Sequence, residues 1–264
     1  MRSQTIKAIA LVLIFTACSK VPISNRKQLN LLPESEMVSM SLTSYADFLK
    51  QNPPITGTAD AQMVKNIGAR IQSAVVNYLG QNKMGDRVSG YKWEFNLVNN
   101  KEVNAWCMPG GKVVVYTGIL PLTKDETSLA IVMGHEIAHA VARHGNERMS
   151  QMMMQQMGGM ALDVALSTKS AETKSIFMTA YGAGSNLGIL AYSRTHETEA
   201  DELGLIFAAM AGYDPQAAIT FWQRMAAQGG SKPPELLSTH PSDETRIKNL
   251  KAYMPKALKY YKPH

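Results

Sequence analysis

Three residues in the middle of the chain, His135, Glu136 and His139, have the types and spacing of a metal-dependent hydrolytic site. Apolar residues recur around them at helical spacing, so we predict one buried helix running from Asp125 to Gly145. Residues four apart share a face of a helix, which lets the two imidazoles bind one zinc ion. Glu136 is turned aside on the same helix, where it can act as general base on a water molecule beside the metal.

A catalytic zinc ion takes three protein ligands, so the chain must supply one more. Glu197 and Asp201 are four residues apart on a later predicted helix. Glu197 can be the third ligand if that helix crosses the first one, and Asp201 can then accept the free ring N–H of a ligand histidine. We expect Glu199 to be a surface charge and His144 to be turned away from the shared face. The candidates for the third ligand are His144, His196, Glu197, Glu199, Asp201, His240 and His264.

The elements that must position these residues predict an α+β fold that is mainly α. Two helices come first, and three short apolar runs then predict a small antiparallel sheet, in residues 92–98, 104–108 and 112–117. Thr123, with Glu126 three residues later, resembles a capping box that starts the active-site helix. The methionine-rich run 149–160 is either an ordinary helix with a soft core face, which we prefer, or a mobile element near a substrate groove.

The N-terminus has the features of a bacterial export signal. Arg2 and Lys7 flank the start of a short apolar run, and small residues precede Cys18, as in lipoprotein signals. A plain secretory signal with an incidental cysteine is the alternative. We predict a signal peptide in residues 1–17, a lipid-anchored polar tether in residues 18–33 and one catalytic domain in residues 34–264.

Composition excludes some classes of function. With 264 residues, 45% of them hydrophobic, the chain can bury a sizeable core. The net charge of +6 is not gathered into a basic stripe with aromatic residues, so we do not expect nucleic-acid binding. Cys107 has no partner if Cys18 carries lipid, and we predict it to be a small buried hydrophobe. No uninterrupted apolar run after the signal is long enough to span a membrane.

Several motifs together resemble the M48 family of zinc metallopeptidases, over residues 30 to 255 or so. They are His135-Glu136-Ile137-Ala138-His139, Tyr192-Ser193-Arg194, Glu197-Thr198-Glu199-Ala200-Asp201, Asn104-Ala105-Trp106, Met108-Pro109-Gly110-Gly111 and Thr239-His240-Pro241 with Arg246. The resemblance implies a zincin-like domain of the gluzincin type, with one Zn²⁺ per chain and Glu197 as the third ligand. It also implies that His240 can approach the zinc and hold the enzyme shut, and that Arg246 stabilises the oxyanion. A loop histidine and a surface arginine are the alternatives for these two residues.

The resemblance is to the periplasmic lipoprotein branch, similar to outer-membrane quality-control peptidases. It implies a zinc-dependent endopeptidase that degrades misfolded or unassembled envelope proteins, with Glu136 assisting the attack of water. The expected location is the bacterial cell envelope, with a lipid on Cys18 anchoring the protein in the outer membrane facing the periplasm. One alternative is a chaperone-like substrate-binding lipoprotein with latent protease activity, and another is a zinc hydrolase acting on a non-peptide substrate.

Overall fold

A computed structural model describes residues 18–157, 173, 176, 193–228, 236, 240 and 244–263. The predicted signal peptide, the end of the methionine-rich run and the candidate ligand His264 lie outside these residues. The described part is mainly helical with two small sheets, which confirms the predicted fold class. Its strands are β1 (Cys18–Lys20), β2 (Lys27–Leu29), β3 (Glu94–Val98), β4 (Ala105–Met108) and β5 (Lys112–Tyr116). Its helices are α1 (Glu34–Gln51), α2 (Ala59–Gln81), α3 (Leu120–Thr123), α4 (Glu126–Ala142), α5 (His144–Met157), α6 (Arg194–Met210), α7 (Ala217–Ala227) and α8 (Glu244–Ala257).

The three-stranded sheet is mixed rather than wholly antiparallel. A tight turn through Gly110 and Gly111, both at positive φ, pairs β4 with β5 in the expected antiparallel way. β3 instead runs parallel to β5, because β5 returns between the other two strands and gives the order β3-β5-β4. β4 is therefore an edge strand of this sheet, and it packs beside α4.

The N-cap of helix α4 lies two residues after the predicted cap, Thr123. This N-cap is Asp125, whose side chain accepts a hydrogen bond from the backbone N–H of Ser128 at 2.6 Å. Thr123 belongs to the short helix α3, and Lys124, at φ 65°, separates the two helices. The sequence therefore placed the start of the helix correctly but assigned the cap to the wrong residue.

The far end of α4 also differs from the prediction of one helix reaching Gly145. Arg143 takes a left-handed conformation with φ 62°, which ends α4, and α5 begins at the next residue. Three methionines of α5 are buried against the N-terminal part of the chain, as in an ordinary helix with a soft core face. This small cluster comprises Leu32, Met37, Met149, Met152, Met153 and Ile176.

Helices α4 and α6 cross at very close range, because each has a glycine at the crossing. A Cβ on Gly204 would lie 2.9 Å from the Cα and the nitrogen of His135. A Cβ on Gly134 would lie 3.0 Å from the carbonyl oxygen of Gly204. Any larger residue would push the helices apart, so this pair of glycines sets the distance between the faces that carry the predicted ligands.

Residues 18–33 pack against the domain, in contrast to the predicted polar tether. β1 and β2 form an antiparallel hairpin, in which Val21 and Gln28 are buried, and Leu32 beyond it is buried as well. The guanidinium of Arg26 reaches the carboxylate of Glu147 at 2.6 Å. Apolar burial and ion pairing hold the segment, and neither produces a periodic pattern in so short a stretch. Lipidation of Cys18 stays a prediction.

Candidate metal centre

The α4–α6 crossing brings together four side chains that can donate to one metal ion. They are His135 and His139 of α4, Glu197 of α6, and His240, which precedes α8. One ligand atom from each lies within 4.8 Å of the others, and all four side chains are buried. Three of these residues are the ligands that the sequence predicted, and the fourth is the histidine of the Thr-His-Pro motif.

The donor atoms are spaced as ligands of one small ion would be. Nε2 of His135 lies 3.0 Å from Nε2 of His139 and 3.1 Å from Nδ1 of His240. Oε1 of Glu197 lies 3.3 Å from Nε2 of His139 and 2.9 Å from Nδ1 of His240. Zinc–nitrogen bonds of about 2.0–2.1 Å in a tetrahedron separate neighbouring ligand atoms by roughly 3.3 Å. The residues present therefore fit a single zinc-sized ion.

Glu136 lies beside these donor atoms. The residue is 3% exposed, and its Oε1 accepts no hydrogen bond from any residue that the structure describes. Nε2 of His240 lies 3.5 Å from that oxygen. Burial raises the pKa of Glu136 to about 7. A buried carboxylate with a free oxygen and a pKa near neutrality is suited to accept and return a proton.

Asp201 and Arg246 brace the outer side of His135. Oδ1 of Asp201 lies 2.9 Å from Nδ1 of His135, which is the contact expected of a carboxylate that accepts a ligand's free ring N–H. The guanidinium of Arg246 donates to both oxygens of Asp201, at 2.7 and 2.9 Å. Burial disfavours the charged carboxylate, yet Arg246 holds the pKa of Asp201 below its ordinary value.

Arg246 also pairs with the predicted third ligand. Its Nη1 lies 2.9 Å from Oε2 of Glu197, and its guanidinium carbon lies 3.4 Å above the ring of Trp222. The alternative of a surface arginine is wrong, because the side chain is buried. These contacts give Arg246 a bracing role, and its predicted role at the oxyanion stays a prediction.

Two residues that the sequence analysis set aside belong to the surroundings of the site. His144 is buried, and its Nδ1 lies 2.9 Å from Nδ1 of His139. Burial lowers the pKa of His144 to about 4 and that of His139 well below its ordinary value, so both rings are neutral. Glu199, which we expected on the surface, is buried and lies 3.1 Å from Nε2 of His144. The αL turn at Arg143, which the periodicity does not show, redirects His144 towards the site.

Glu147 and His196 form a second pair of a carboxylate and a histidine beside Glu199 and His144. Glu147 accepts a hydrogen bond from Arg26 and lies 3.0 Å from Nε2 of His196, another candidate ligand. The ring of His196 stacks on that of His144, with the ring centroids 4.5 Å apart. His196 is therefore engaged with Glu147 and is not one of the four clustered donors.

The site thus has three imidazoles and one carboxylate around one point, and a second carboxylate, which is not one of these donors, lies beside them. This set of groups is typical of a metal-dependent hydrolase. The family model for peptidase family M48 matches residues 68–254 of this chain. This range contains the active-site helix, α6 and Arg246. The chain belongs to peptidase family M48, and it is a metalloendopeptidase.

Curated relatives agree with this assignment. The chain is 32% identical over 248 residues to the mitochondrial metalloendopeptidase OMA1 of Schizosaccharomyces pombe, covering 93% of this chain and 69% of the relative. It is 31% identical over 258 residues to the mitochondrial metalloendopeptidase OMA1 of Homo sapiens, covering 94% of this chain and 48% of the relative. It is 33% identical over 161 residues to the beta-barrel assembly-enhancing protease of Escherichia coli, covering 59% of this chain and 33% of the relative.

Two further features concern the membrane and cysteine chemistry. Within the described ranges, none of the helices combines the length and the apolar character that crossing a membrane requires. Cys107 is a free, buried cysteine, and burial raises the pKa of its thiol well above its ordinary value.

Proposed function

We propose that the protein is a zinc-dependent endopeptidase whose single Zn²⁺ is held by His135, His139 and Glu197. The observation that carries this proposal is the spacing of 3.0 to 3.5 Å between the ligand atoms of these three residues, with the free Oε1 of Glu136 beside them. Neutral imidazole is the form that binds a metal, and burial favours it at His139.

The chemistry is hydrolysis of a peptide bond. A bound zinc ion supplies Lewis acidity, which polarises the scissile carbonyl and lowers the pKa of water. Glu136 accepts a proton from the attacking water, whose oxygen bonds to the carbonyl carbon. Glu136 then donates this proton to the amide nitrogen as the carbon–nitrogen bond breaks. Asp201 keeps Nδ1 of His135 protonated, so that the other ring nitrogen is available as a ligand.

An extended segment of the substrate binds along β4. This strand lies at the edge of its sheet and packs beside α4. Backbone pairing with an edge strand recognises extended chains with little regard to sequence, which suits unfolded or misassembled polypeptides.

The substrates are misfolded or unassembled proteins of the bacterial cell envelope. Two observations support this part of the proposal. Residues 1–17 have the pattern of an export signal and Cys18 follows it, so we propose Cys18 as the site of lipid attachment to the outer membrane, facing the periplasm. One relative is named as an enhancer of β-barrel assembly.

The test is Glu136→Gln, compared with Glu126→Gln on the first turn of the same helix. We expect Glu136→Gln to keep one zinc per chain and to lose casein cleavage by about 10²–10⁴-fold, because the amide cannot carry the proton. Glu126→Gln should behave as the parent does in both measurements.

Retained proteolysis by Glu136→Gln would refute the role of this residue. A parent protein with one zinc that holds unfolded envelope proteins without cleaving them would favour the chaperone-like alternative. A parent protein without affinity for zinc would overturn the proposed metal site itself.

A further inference from the structure

A line of buried polar contacts runs from the predicted ligand His139 outwards to the N-terminal hairpin. Nδ1 of His139 lies 2.9 Å from Nδ1 of His144, and Nε2 of His144 lies 3.1 Å from Oε2 of Glu199. Arg26 of the hairpin loop donates to both oxygens of Glu199, at 3.0 and 2.9 Å. The hydroxyl of Ser24 donates to the same carboxylate. The metal centre and the hairpin are thus joined by three consecutive pairs of polar groups.

The positions of the hydrogen atoms along this line follow from which ring nitrogen of His139 faces the metal-binding cluster. Its Nε2 faces the cluster of donor atoms, 3.3 Å from Oε1 of Glu197. A neutral imidazole that offers Nε2 to a metal carries its hydrogen on Nδ1, so His139 donates to Nδ1 of His144. His144 must then carry its own hydrogen on Nε2, and it donates this hydrogen to Glu199. One tautomer of each ring satisfies every group in the line.

We propose that His144, Glu199 and Arg26 are positioning residues that fix the tautomer and the orientation of His139, so that the N-terminal hairpin supports the metal centre. This inference rests on the proposed role of His139 as a metal ligand. Asp201 supports His135 directly, whereas His139 is supported through an intervening histidine.

Arg26 matters because it joins two buried carboxylates. Its guanidinium pairs with Glu199 at 2.9 Å and with Glu147 at 2.6 Å, and both carboxylates are buried. Without this cation, two negative charges would lie in one buried space and repel each other. Glu199 would then be less firmly fixed in the position where it contacts His144. Arg26 therefore fixes the outer end of the line.

The structure offers a matched control for the test. Glu147 and Glu199 both pair with Arg26, and each also contacts Nε2 of a buried histidine. The histidine beside Glu199 contacts a predicted ligand, at 2.9 Å from His139, whereas the histidine beside Glu147 stacks on His144. Glu147→Gln and Glu199→Gln therefore make the same chemical change in the same ion-pair cluster, and the second alone breaks the line.

The experiment measures the affinity of the purified full chain for Zn²⁺ by competition with a chromogenic chelator. It also records the visible absorption bands of the Co²⁺-loaded protein, which report the ligand field at the metal, to which His139 contributes. We expect Glu199→Gln and His144→Leu to weaken zinc binding by about 10–100-fold and to shift the cobalt bands, as loss of groups that orient ligands does. Glu147→Gln should keep the affinity and the bands of the parent. Arg26→Lys keeps the positive charge but loses the planar guanidinium that contacts both carboxylates. Its zinc affinity should lie between those of the parent and of Glu199→Gln.

Two results would overturn the inference. One is a Glu199→Gln protein with the affinity and the cobalt spectrum of the parent. The other is an equal loss in Glu199→Gln and Glu147→Gln, which would mean that general damage to the ion-pair cluster is responsible. Failure of the proposed metal site has a different signature, in which the parent binds no zinc or His139→Ala binds it as tightly as the parent does.

Discussion

At the scale of single residues, we predict that His240 controls access of a substrate to the site. Its Nδ1 lies 2.9 Å from Oε1 of Glu197 and 3.1 Å from Nε2 of His135, and its Nε2 lies 3.5 Å from Oε1 of Glu136. The imidazole thus occupies the space between the predicted ligands and the predicted general base. A water molecule or a carbonyl group needs the same space, so we predict that His240 moves before a peptide is cleaved.

We therefore predict that His240→Ala cleaves casein faster than the parent while it keeps one zinc per chain. If the site is open in about a tenth of the molecules, the apparent affinity for the substrate is about tenfold weaker than that of the open form. Removal of the obstructing ring should then raise kcat/KM by up to about tenfold. His196→Ala is the control, because His196 is equally buried and contacts Glu147 instead. Slower cleavage by His240→Ala would instead make His240 a donor to the oxyanion.

The residue scale also shows what spacing can and cannot predict. His135, His139, Glu197 and Asp201 were identified because four-residue spacing on a helix puts two side chains on one face. Glu199 was misplaced on the surface, because its partner Arg26 is 173 residues away along the chain. One feature of the sequence does indicate its burial: Glu199 lies in a helix with many apolar residues, where a charged side chain needs a partner.

At the scale of elements, the two glycines at the α4–α6 crossing determine how close the ligand-bearing faces come. We predict that Gly204→Ala destabilises the fold by about 1–3 kcal/mol, because its Cβ would overlap backbone rather than a flexible side chain. The same change should weaken zinc binding, since Glu197 lies on the helix that is displaced. The free energy of unfolding in urea and the competition with a chelator measure these two effects.

Gly80→Ala is the natural comparison for this prediction. Gly80 lies in α2, and a Cβ added there meets nothing within 4 Å. The helix should gain about 0.5–1 kcal/mol from the reduced flexibility of the unfolded chain. If both alanine variants proved equally stable, the close crossing would not set the geometry of the site.

Element boundaries were predicted less well than the existence of the elements. Helical periodicity continues through Arg143, so the sequence suggested one helix where the structure has two. The parallel pairing of β3 with β5 is equally invisible to local patterns, because it depends on which strand occupies the middle of the sheet.

At the scale of the whole molecule, ion pairs connect the N-terminal hairpin to the helices. Glu147 accepts hydrogen bonds from Arg26 and from the amide of Gln28, and it lies 3.0 Å from Nε2 of His196. Burial disfavours the charged carboxylate, yet Arg26 and His196 hold its pKa below the ordinary value of 4.5. A carboxylate with a lowered folded-state pKa stabilises the fold above its unfolded-state pKa, and this stabilisation is lost as the pH falls.

We predict that Glu147→Gln lowers the free energy of unfolding by about 1–3 kcal/mol at pH 7. The difference from the parent should shrink as the pH falls below the ordinary pKa of 4.5, because the unfolded chain then takes up a proton at Glu147 while the folded chain, with its lowered pKa, still holds the charge. Urea unfolding over this pH range measures it, with Glu126→Gln as the reference. A difference that stays constant with pH would mean that the ion pair does not contribute.

The hairpin was the largest error at this scale. Polar residues and prolines in residues 18–33 suggested a tether, and no local pattern indicates that Arg26 pairs with two carboxylates on distant helices. Local composition reports how a segment would behave alone, whereas its place in the fold depends on partners from elsewhere in the chain.

The close crossing of α4 and α6 also bears on how enzymes of this kind can diversify. The contacts that set the ligand geometry, Gly134 with Gly204, Asp201 with Arg246 and His144 with Glu199, are all made by residues of α4, α5, α6 and α8. Sequence outside these four helices can therefore diversify while the catalytic apparatus is inherited unchanged.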